Sequence, residues 1–268
     1  MAARSSVDLT ELMGLMGKLS FASIFYPLGR QWLAAPWRAA RARYRRADGM
    51  VPMTQSARKA LLRWGTELDP MGTTDHVGVP LASVSLFPAA SSDEALCIYA
   101  DASRDSSDLC GFAAWTVVDD VLLYIDGTWD VAERENLLIC DLELAASTFG
   151  LMALHPLAPK PYVYSFTDNT VAMAAMRGCT PSTPAMQLLA IERSSWLLDR
   201  GVAEATERIT SKANLWADQG SRSRVPLMIS QAEALGLRHR RVEVPPELRQ
   251  MTRDAAVSMG RDRLEGIV

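Results

Sequence analysis

Apolar residues in the N-terminal part of the chain recur at the three- and four-residue spacing of helices. The first predicted helix is capped by Ser6 and places on one face Leu9, Leu12, Met13, Met16 and Leu19. A second helix is predicted over about residues 27–46, with an apolar side, a basic side and a kink at Pro36. A third helix follows Thr54, and the residues predicted to face the core are Ala57, Leu61, Leu62, Trp64 and Leu68. Residues 1–68 therefore predict a small helical unit.

The pattern changes to that of strands after a segment rich in chain breakers. Residues 69–93 contain several Gly, Pro and Ser residues without a sustained period, so we expect them to be a linker. Residues 95–101, 111–118 and 121–125 then predict three strands of an antiparallel meander. Asp119 and Asp120 fall at the turn between the second and third strands, where Asp is a common turn residue.

Helices and strands alternate in the remaining part of the chain. The predicted elements are a helix from about Cys140, a strand over 161–166, helices over 168–176 and 184–200, a strand over 202–209 and a short helix from Asn214. The order from residue 95 is thus β-β-β-α-β-α-α-β-α. This order favours an α/β fold in which helices pack against a mixed sheet of five strands. The last forty-odd residues are expected to be helical, with a break at Pro245-Pro246.

Composition narrows the class of protein. The chain has 268 residues, 49% of them hydrophobic, which is enough to bury a substantial core. It contains no apolar run of about eighteen residues and does not begin like a signal peptide. The four cysteines and three histidines are scattered without metal-ligand spacing. We therefore expect an intracellular protein, cytoplasmic or nuclear, that has no membrane partner, zinc site or disulfide framework.

Charge is distributed unevenly along the chain. Residues 1–68 hold eleven Lys and Arg against four acids, although the whole chain has a net charge of −3. A basic part joined to an acidic part fits a phosphate-binding module beside a metal-binding one. The alternative is a basic helix face that is only solvated, and charge alone does not decide between the two.

Four carboxylates are placed at the ends of predicted elements. Asp101 ends a strand in Ile-Tyr-Ala-Asp-Ala-Ser, and Glu143 lies early in a helix in Asp-Leu-Glu-Leu-Ala-Ala. Asp168 follows a strand in Ser-Phe-Thr-Asp-Asn-Thr, and Asp218 lies in Asn-Leu-Trp-Ala-Asp-Gln-Gly-Ser-Arg. Carboxylates brought together from several elements are the ligands that Mg²⁺ prefers, and two such ions can catalyse phosphodiester hydrolysis.

These four motifs resemble, in order, the carboxylate motifs of the ribonuclease H domain of retrotransposon reverse transcriptases, especially those of the DIRS-like group. The match includes the Asn-x-x-Ala-Asp-x-x-Ser-Arg pattern at residues 214–222. Residues 15–23, followed by Gly29-Arg30, are also similar to the helical segment that joins polymerase and ribonuclease H in such enzymes. The resemblance spans roughly residues 10–222.

The resemblance implies a fold, an activity and a ligand set. Together with the element pattern, it divides the chain into a thumb- or connection-like helical unit (1–68), a linker (69–93) and a ribonuclease H-like domain (94–222). A C-terminal helical extension (223–268), for which the resemblance offers no counterpart, follows. The implied activity is endonucleolytic hydrolysis of the RNA strand of RNA–DNA hybrids. The implied cofactor is two Mg²⁺ ions, for which Mn²⁺ can substitute. Asp101 would bridge both ions, Glu143 and Asp168 would hold the ion that activates water, and Asp218 would complete the second site.

The expected partners are an RNA–DNA hybrid and a reverse transcriptase polymerase domain, on the same polyprotein or on another chain. Residues assigned to nucleic-acid binding are Ser103, Asn169, Arg177, Arg38, Arg41, Arg45 and Arg46. The four N-terminal arginines share one face of the predicted second helix. Many ribonucleases H have a histidine in the loop before the last catalytic aspartate. This chain departs from them, because residues 169–217 contain no histidine.

Each candidate residue also has a simpler interpretation. Asp168 can be an N-cap alone, and Glu143 can be a solvated helix residue. Asp141 is the rival to Glu143 as a ligand. For the whole chain, the alternatives are a non-catalytic nucleic-acid-binding or scaffolding subunit with the same fold and, less favoured by the motifs, another ribonuclease H-like nuclease such as an integrase or resolvase.

Overall fold

The computed structural model describes residues 4–25, 29–41, 49–68, 94–104, 110–178 and 181–264. Contacts group the chain into two compact units, which are described separately below. Unit 1 comprises Met1–Phe87 and Gly178–Gly201, and unit 2 comprises Pro88–Arg177 and Val202–Val268. This grouping differs from the division expected from sequence: residues 178–201 go with the N-terminal helices, and the C-terminal residues go with the sheet.

The elements follow one another in the order expected, with additions. The first are β1 (Ser6–Asp8), α1 (Leu9–Phe25), α2 (Arg30–Arg41), β2 (Met50–Pro52) and α3 (Gln55–Leu68). They are followed by β3 (Ala95–Ala102), β4 (Gly111–Val118), β5 (Val121–Thr128), α4 (Val131–Asn136), α5 (Ile139–Leu154), β6 (Tyr162–Thr167) and α6 (Thr170–Met176). The last are α7 (Pro184–Asp199), β7 (Ala203–Arg208), α8 (Leu215–Ser221), α9 (Val225–Ala234), β8 (Arg238–Arg241) and α10 (Pro246–Leu264). None of the described helices combines the length and apolar character needed to cross a bilayer.

Unit 1 is built around two tryptophans. The rings of Trp32 and Trp64 meet edge to face with centroids 5.4 Å apart, and both side chains are buried. The indole nitrogen of Trp32 donates a hydrogen bond to the hydroxyl of Ser194, 2.9 Å away on α7. Ile191 and Leu198 of α7 belong to the same apolar core. Helix α7 therefore completes the core of the N-terminal helices.

The caps of unit 1 were predicted in part. Thr54 caps α3, because its hydroxyl accepts a hydrogen bond from the Ala57 amide at 3.2 Å. The cap assigned to Ser6 is wrong: Ser6 lies in β1, paired with Pro52, and Asp8 accepts from the Glu11 amide at 3.0 Å instead. Leu62 is exposed and not inward. Helix α2 is described to Arg41, and the rest of the predicted helix lies outside the described residues.

Unit 2 contains a mixed sheet of six strands, in the order β7-β6-β3-β4-β5-β8. The neighbours β3, β4 and β5 are antiparallel and form the predicted meander, while β6 and β7 continue the sheet in parallel with β3. Asp119 and Asp120 have φ values of 49° and 59°, as a two-residue type I′ hairpin turn requires. The α/β class with a mixed sheet is therefore confirmed, as is the turn assignment of this aspartate pair.

The sixth strand corrects the sequence prediction of five strands. Residues 238–241 read Arg-His-Arg-Arg, are all exposed, and pair in parallel with β5 at the edge of the sheet. They have no apolar alternation, so periodicity gave no strand signal. Charged side chains are common on edge strands because they discourage association with other sheets. The C-terminal residues are thus not purely helical.

A buried ion pair attaches α10 to the rest of unit 2. The guanidinium of Arg249 lies 2.9 Å from the carboxylate of Glu133, whose side chain is 0% exposed. The same guanidinium lies over the rings of Phe112, Trp129 and Phe149, at 5.0 to 5.7 Å from their centroids. Burial raises the pKa of Glu133, while the hydrogen bond from the Asp130 amide and the charge of Arg249 lower it. The C-terminal helix is therefore an integral part of this unit.

We predict that Arg249→Ala lowers the free energy of unfolding by about 3–5 kcal/mol, because it leaves the Glu133 carboxylate buried without its cation. Urea denaturation followed by circular dichroism measures this change. The matched control is Arg253→Ala, which removes an exposed ion pair with Asp130 and should cost at most about 1 kcal/mol. Equal losses in the two variants would show that the buried pair does not hold α10.

Candidate metal centre

Two of the four predicted acids lie side by side at the carboxyl ends of parallel strands. In the β3–β6 pair, Tyr99 is opposite Phe166. Asp101 and Asp168 each lie two residues further along, so the alternation of side chains places both on the same face of the sheet. The Asp101 side chain is buried, and the Asp168 side chain is partly buried. The sheet register itself therefore brings the two carboxylates together.

The third acid comes from α5. This helix lies so close to the sheet that a Cβ added at Gly150 would be 2.5 Å from the Cβ of Ala114. Glu143, in the second turn of α5, is 4% exposed and accepts a hydrogen bond from the Ala102 amide. Asp101, Glu143 and Asp168 each offer one oxygen atom, and these atoms all lie within 4.8 Å of one another. The solvated interpretation of Glu143 is therefore wrong.

The fourth acid, Asp218, lies on α8 at the rim of the same cleft. The cleft has a volume of about 340 Å³, and all four acids line it. Asp218 is 2.7 Å from the Nε of Arg222, one helical turn later, and is not among the three acids that converge within 4.8 Å. The structure thus brings three predicted ligands into one cluster and the fourth into the same cleft.

Two of the carboxylates lie where the charged form is disfavoured. Burial, followed by the charges of Asp168 and Asp218, raises the pKa of Asp101 to about 7, against a hydrogen bond from Ser221 and the charge of Arg222 that lower it. Burial and the neighbouring charge of Asp101 raise the pKa of Glu143 well above its ordinary value. Without a cation, the cluster therefore favours the uptake of protons.

The simpler interpretations of the other acids are also decided by geometry. The N-cap of α6 is Asn169, whose side-chain oxygen accepts from the Val171 and Ala172 amides at 3.0 Å, so Asp168 does not fill that role. Asp141 accepts a hydrogen bond from the Leu138 amide at 2.8 Å at the start of α5. It therefore serves the helix end, and Glu143 is the residue of this pair that joins the cluster.

The predicted nucleic-acid residues of unit 2 have partners within the protein. Besides Asn169, the Ser103 hydroxyl accepts from the Gly111 amide at 3.0 Å and donates to the Ser221 carbonyl at 2.6 Å. The guanidinium of Arg177 donates from Nε and Nη2 to the carbonyl of Thr206 at 2.9 and 2.5 Å. These contacts give each side chain a structural role.

The predicted basic face of α2 is described only as far as Arg41. The Arg38 guanidinium is half-buried and donates a 2.6 Å hydrogen bond to the carbonyl of Pro181 within unit 1. Burial lowers the pKa of Arg38. Arg41 is exposed, 5.5 Å from the ring centre of Trp37. Arg45 and Arg46 lie outside the described residues.

Sequence reasoning missed several polar residues of the cleft. Ser211 donates to Asp168 at 2.5 Å and Ser221 donates to Asp101 at 2.5 Å, so each aspartate has its own hydroxyl donor. Arg104 and Arg222 also line the cleft. The i, i+4 spacing of Asp218 and Arg222 was the available signal for their ion pair. The motif over residues 214–222 contains Ser221, but no sequence signal indicated the partner of either serine, because their contacts join positions 43 and 120 residues apart.

No protein-family model and no curated protein matches the sequence. Among solved structures, the chain is similar to the N-terminal RNase H domain of Rv2228c from Mycobacterium tuberculosis, solved as a fusion protein with maltose binding protein. The identity is 15% and the TM-score is 0.37, over 52% of this chain and 98% of that chain. A likeness of this size does not assign the chain to a family.

The donor set fits a divalent cation. All ligand atoms are carboxylate oxygens, which suit Mg²⁺ and Mn²⁺. The Oε2 atom of Glu143 is buried and has no hydrogen-bond donor within the described ranges. An unpaired buried carboxylate oxygen is costly unless a cation or a proton meets it. Asp101, Glu143 and Asp168 are therefore the residues that would hold an ion, with Asp218 placed at the rim.

The raised pKa of Asp101 predicts how stability depends on pH and metal. Because the pKa of Asp101 is raised in the folded state, its contribution to stability is fully present below about pH 4 and is lost as the pH rises through about 7. Asp101→Asn should therefore raise the stability of the metal-free protein at pH 8, on the order of 2–4 kcal/mol, and change it little at pH 4. Thermal melting in EDTA at both pH values measures the difference.

Magnesium should narrow this difference in the same melting experiment at pH 8. A cation that binds only the folded state adds about 2.7 kcal/mol at a hundredfold excess over its dissociation constant. The wild type should therefore gain melting temperature in Mg²⁺, and Asp101→Asn should gain little. A wild-type melting curve that is indifferent to millimolar Mg²⁺ would contradict a metal centre.

Proposed function

We propose that this protein is a metal-dependent endonuclease that hydrolyses the RNA strand of RNA–DNA hybrids. The observation that carries the proposal is the convergence of Asp101, Glu143 and Asp168 within 4.8 Å in an open cleft that Asp218 also lines. Carboxylates from three separate elements, two of them buried, have no structural need to meet, because their mutual repulsion opposes folding. A site that binds cations explains why they do.

The protein's own residues supply positioning and charge. Asp101, Glu143 and Asp168 would hold divalent cations, which when bound neutralise the phosphate and lower the pKa of water. Ser211 and Ser221 each fix one aspartate by a hydrogen bond. Arg104 and Arg222 supply positive charge at the cleft, where the phosphate of a substrate would lie. The cleft is open, so a polymeric substrate can reach the acids.

The choice of hybrid substrate rests on sequence motifs. The four acids occur in the order and on the element types of reverse transcriptase ribonuclease H domains, and the element order of unit 2 agrees with this assignment. We therefore propose a reverse transcriptase origin of the DIRS-like type, with a polymerase domain on the same polyprotein or on another chain as partner. The acid set is intact, which weighs against the non-catalytic scaffolding alternative.

Asp101→Asn should reduce Mg²⁺-dependent cleavage of a labelled RNA–DNA hybrid by several orders of magnitude, because Asp101 would contact both metal ions. Quantification of RNA fragments on denaturing gels measures the rate. A DNA duplex of the same sequence should remain uncut by the wild type.

The matched controls are Asp119→Asn and Asp120→Asn, at the hairpin turn far from the cluster in the fold. Asn tolerates the positive φ of both positions, so folding is preserved. Both controls should cleave at the wild-type rate. A wild type that binds the hybrid and never cuts it would support the scaffolding alternative.

We further propose that the N-terminal arginines Arg38, Arg41, Arg45 and Arg46 bind hybrid phosphates. Arg41→Ala combined with Arg45→Ala should weaken hybrid binding and flatten its salt dependence, because each lost phosphate contact lowers the log–log slope by somewhat less than about one unit. Binding isotherms at several NaCl concentrations, in Ca²⁺ to suppress cutting, measure the slope. Unchanged affinity and slope would mean that these arginines are merely solvated.

A further inference from the structure

The motif over residues 214–222 has a buried face that the proposed function does not use. Asn214, Ala217 and Ser221 are all 0% exposed, whereas Asp218 and Arg222 are turned toward the cleft. Spacings of three and four residues put the first three on one side of α8. The motif thus encodes a helix with one side toward the sheet and one toward the cleft.

Two side chains of this buried face hold the end of β3. The amide nitrogen of Asn214 donates to the carbonyl of Ala100 at 2.8 Å, at the start of α8. At the other end of the helix, the Ser221 hydroxyl donates to Oδ2 of Asp101 at 2.5 Å. The start of α8 is therefore hydrogen-bonded to the backbone just before Asp101, and the end of α8 is hydrogen-bonded to the Asp101 side chain.

Very close packing makes the Ser221 contact possible. A Cβ added at Gly220 would lie 2.4 Å from the Cβ of Ala113, and one added at Gly111 would lie 2.9 Å from the carbonyl oxygen of Ser221. The same carbonyl accepts the hydroxyl of Ser103 at 2.6 Å. The position of the Ser221 backbone is thus fixed independently of its hydroxyl.

We infer that Ser221 is a positioning residue for the metal centre, which orients the carboxylate of Asp101 before a cation arrives. The inference rests on the proposed function, since it assumes that Asp101 is a metal ligand. The terminal torsion of an Asp side chain has a broad energy profile, so an unrestrained carboxylate rotates easily. A hydrogen bond from a buried hydroxyl to one oxygen restricts that rotation and fixes how the group faces Glu143 and Asp168.

A purely structural role of Ser221 predicts a loss of stability, whereas a positioning role predicts a loss of cation affinity. The hydroxyl also lies 3.1 Å from the carbonyl of Asp218, one turn earlier in α8, but its single hydrogen favours the carboxylate because charge-assisted hydrogen bonds are stronger. Since Gly220, Ser103 and Asn214 hold α8 by other contacts, loss of the hydroxyl should spare the fold. The effect of Ser221→Ala should therefore appear in cation affinity.

The test compares Mn²⁺ binding to the full chain by isothermal titration calorimetry. Ser221→Ala should raise the dissociation constant by about 10- to 100-fold, the usual loss when a group that orients a metal ligand is removed. Ser221→Cys, which keeps a weak donor of similar size, should fall between Ala and wild type. The cleavage rate of Ser221→Ala should be low at limiting Mg²⁺ and recover as Mg²⁺ is raised.

The matched control is Ser147→Ala on α5. Ser147 is also buried, but its hydroxyl donates to the sulfur of Met176 at 3.2 Å and not to a carboxylate of the cluster. This variant should bind Mn²⁺ like the wild type. Melting in EDTA should give similar temperatures for the wild type and Ser221→Ala, which excludes misfolding as the cause of weaker binding.

The outcomes separate this inference from the proposed function. If the wild type binds Mn²⁺ and Ser221→Ala binds it equally well, the positioning role is wrong while the nuclease proposal stands. If Ser221→Ala loses affinity only in proportion to a lower melting temperature, the hydroxyl is structural and the inference is overturned. A wild type that does not bind Mn²⁺ would overturn both proposals.

Discussion

Mutual repulsion among buried carboxylates is the constraint on which unit 2 depends. Asp101, Glu143 and Asp168 come within 4.8 Å of one another, and burial takes water away from Asp101 and Glu143. Nothing in the cluster itself favours this arrangement, so the surrounding structure must impose it. The parallel pairing of β3 with β6 places the two aspartates, and the close approach of α5 at Gly150 places the glutamate. Stability is thus supplied by packing at a distance from the acids.

The hydrogen bonds around the acids are distributed unequally. Each of the three aspartates has a side-chain donor: Ser221 for Asp101, Ser211 for Asp168 and Arg222 for Asp218. Glu143 receives only a backbone hydrogen bond, and its Oε2 atom has no donor in the described part of the chain. The two serine hydroxyls are neutral and orient Asp101 and Asp168 without cancelling their charge, whereas Arg222 forms an ion pair with Asp218. The site therefore keeps a negative charge that a metal ion can neutralise, with Glu143 as its least satisfied ligand.

Sequence patterns predicted those features that depend on local spacing. The β3–β5 meander, its Asp119-Asp120 turn and the start of α3 after Thr54 all follow from residues close together in the chain, and the structure confirms them. The four acids were found because each lies in a short local sequence motif. Long-range contacts were not accessible: the grouping of α7 with the N-terminal helices depends on Trp32 and Ser194, which are 162 residues apart. The contact of Arg38 with the Pro181 carbonyl also joins residues far apart in the chain, so the sequence did not predict it. It gives a predicted binding residue a structural role.

The pairing of β8 with β5 has a consequence for how the protein behaves in concentrated solution. Strand β5 is largely buried and apolar, with Leu122, Leu123, Tyr124 and Ile125 in succession. If its edge were open, its unpaired amides and carbonyls would offer a template for strands of other molecules. β8 covers this edge with backbone hydrogen bonds and presents four consecutive basic side chains outward. By covering β5, the C-terminal residues oppose the pairing of sheets from different molecules. A chain that ended after the Ser221-Arg222 motif would expose the edge of β5 and would be more prone to aggregate.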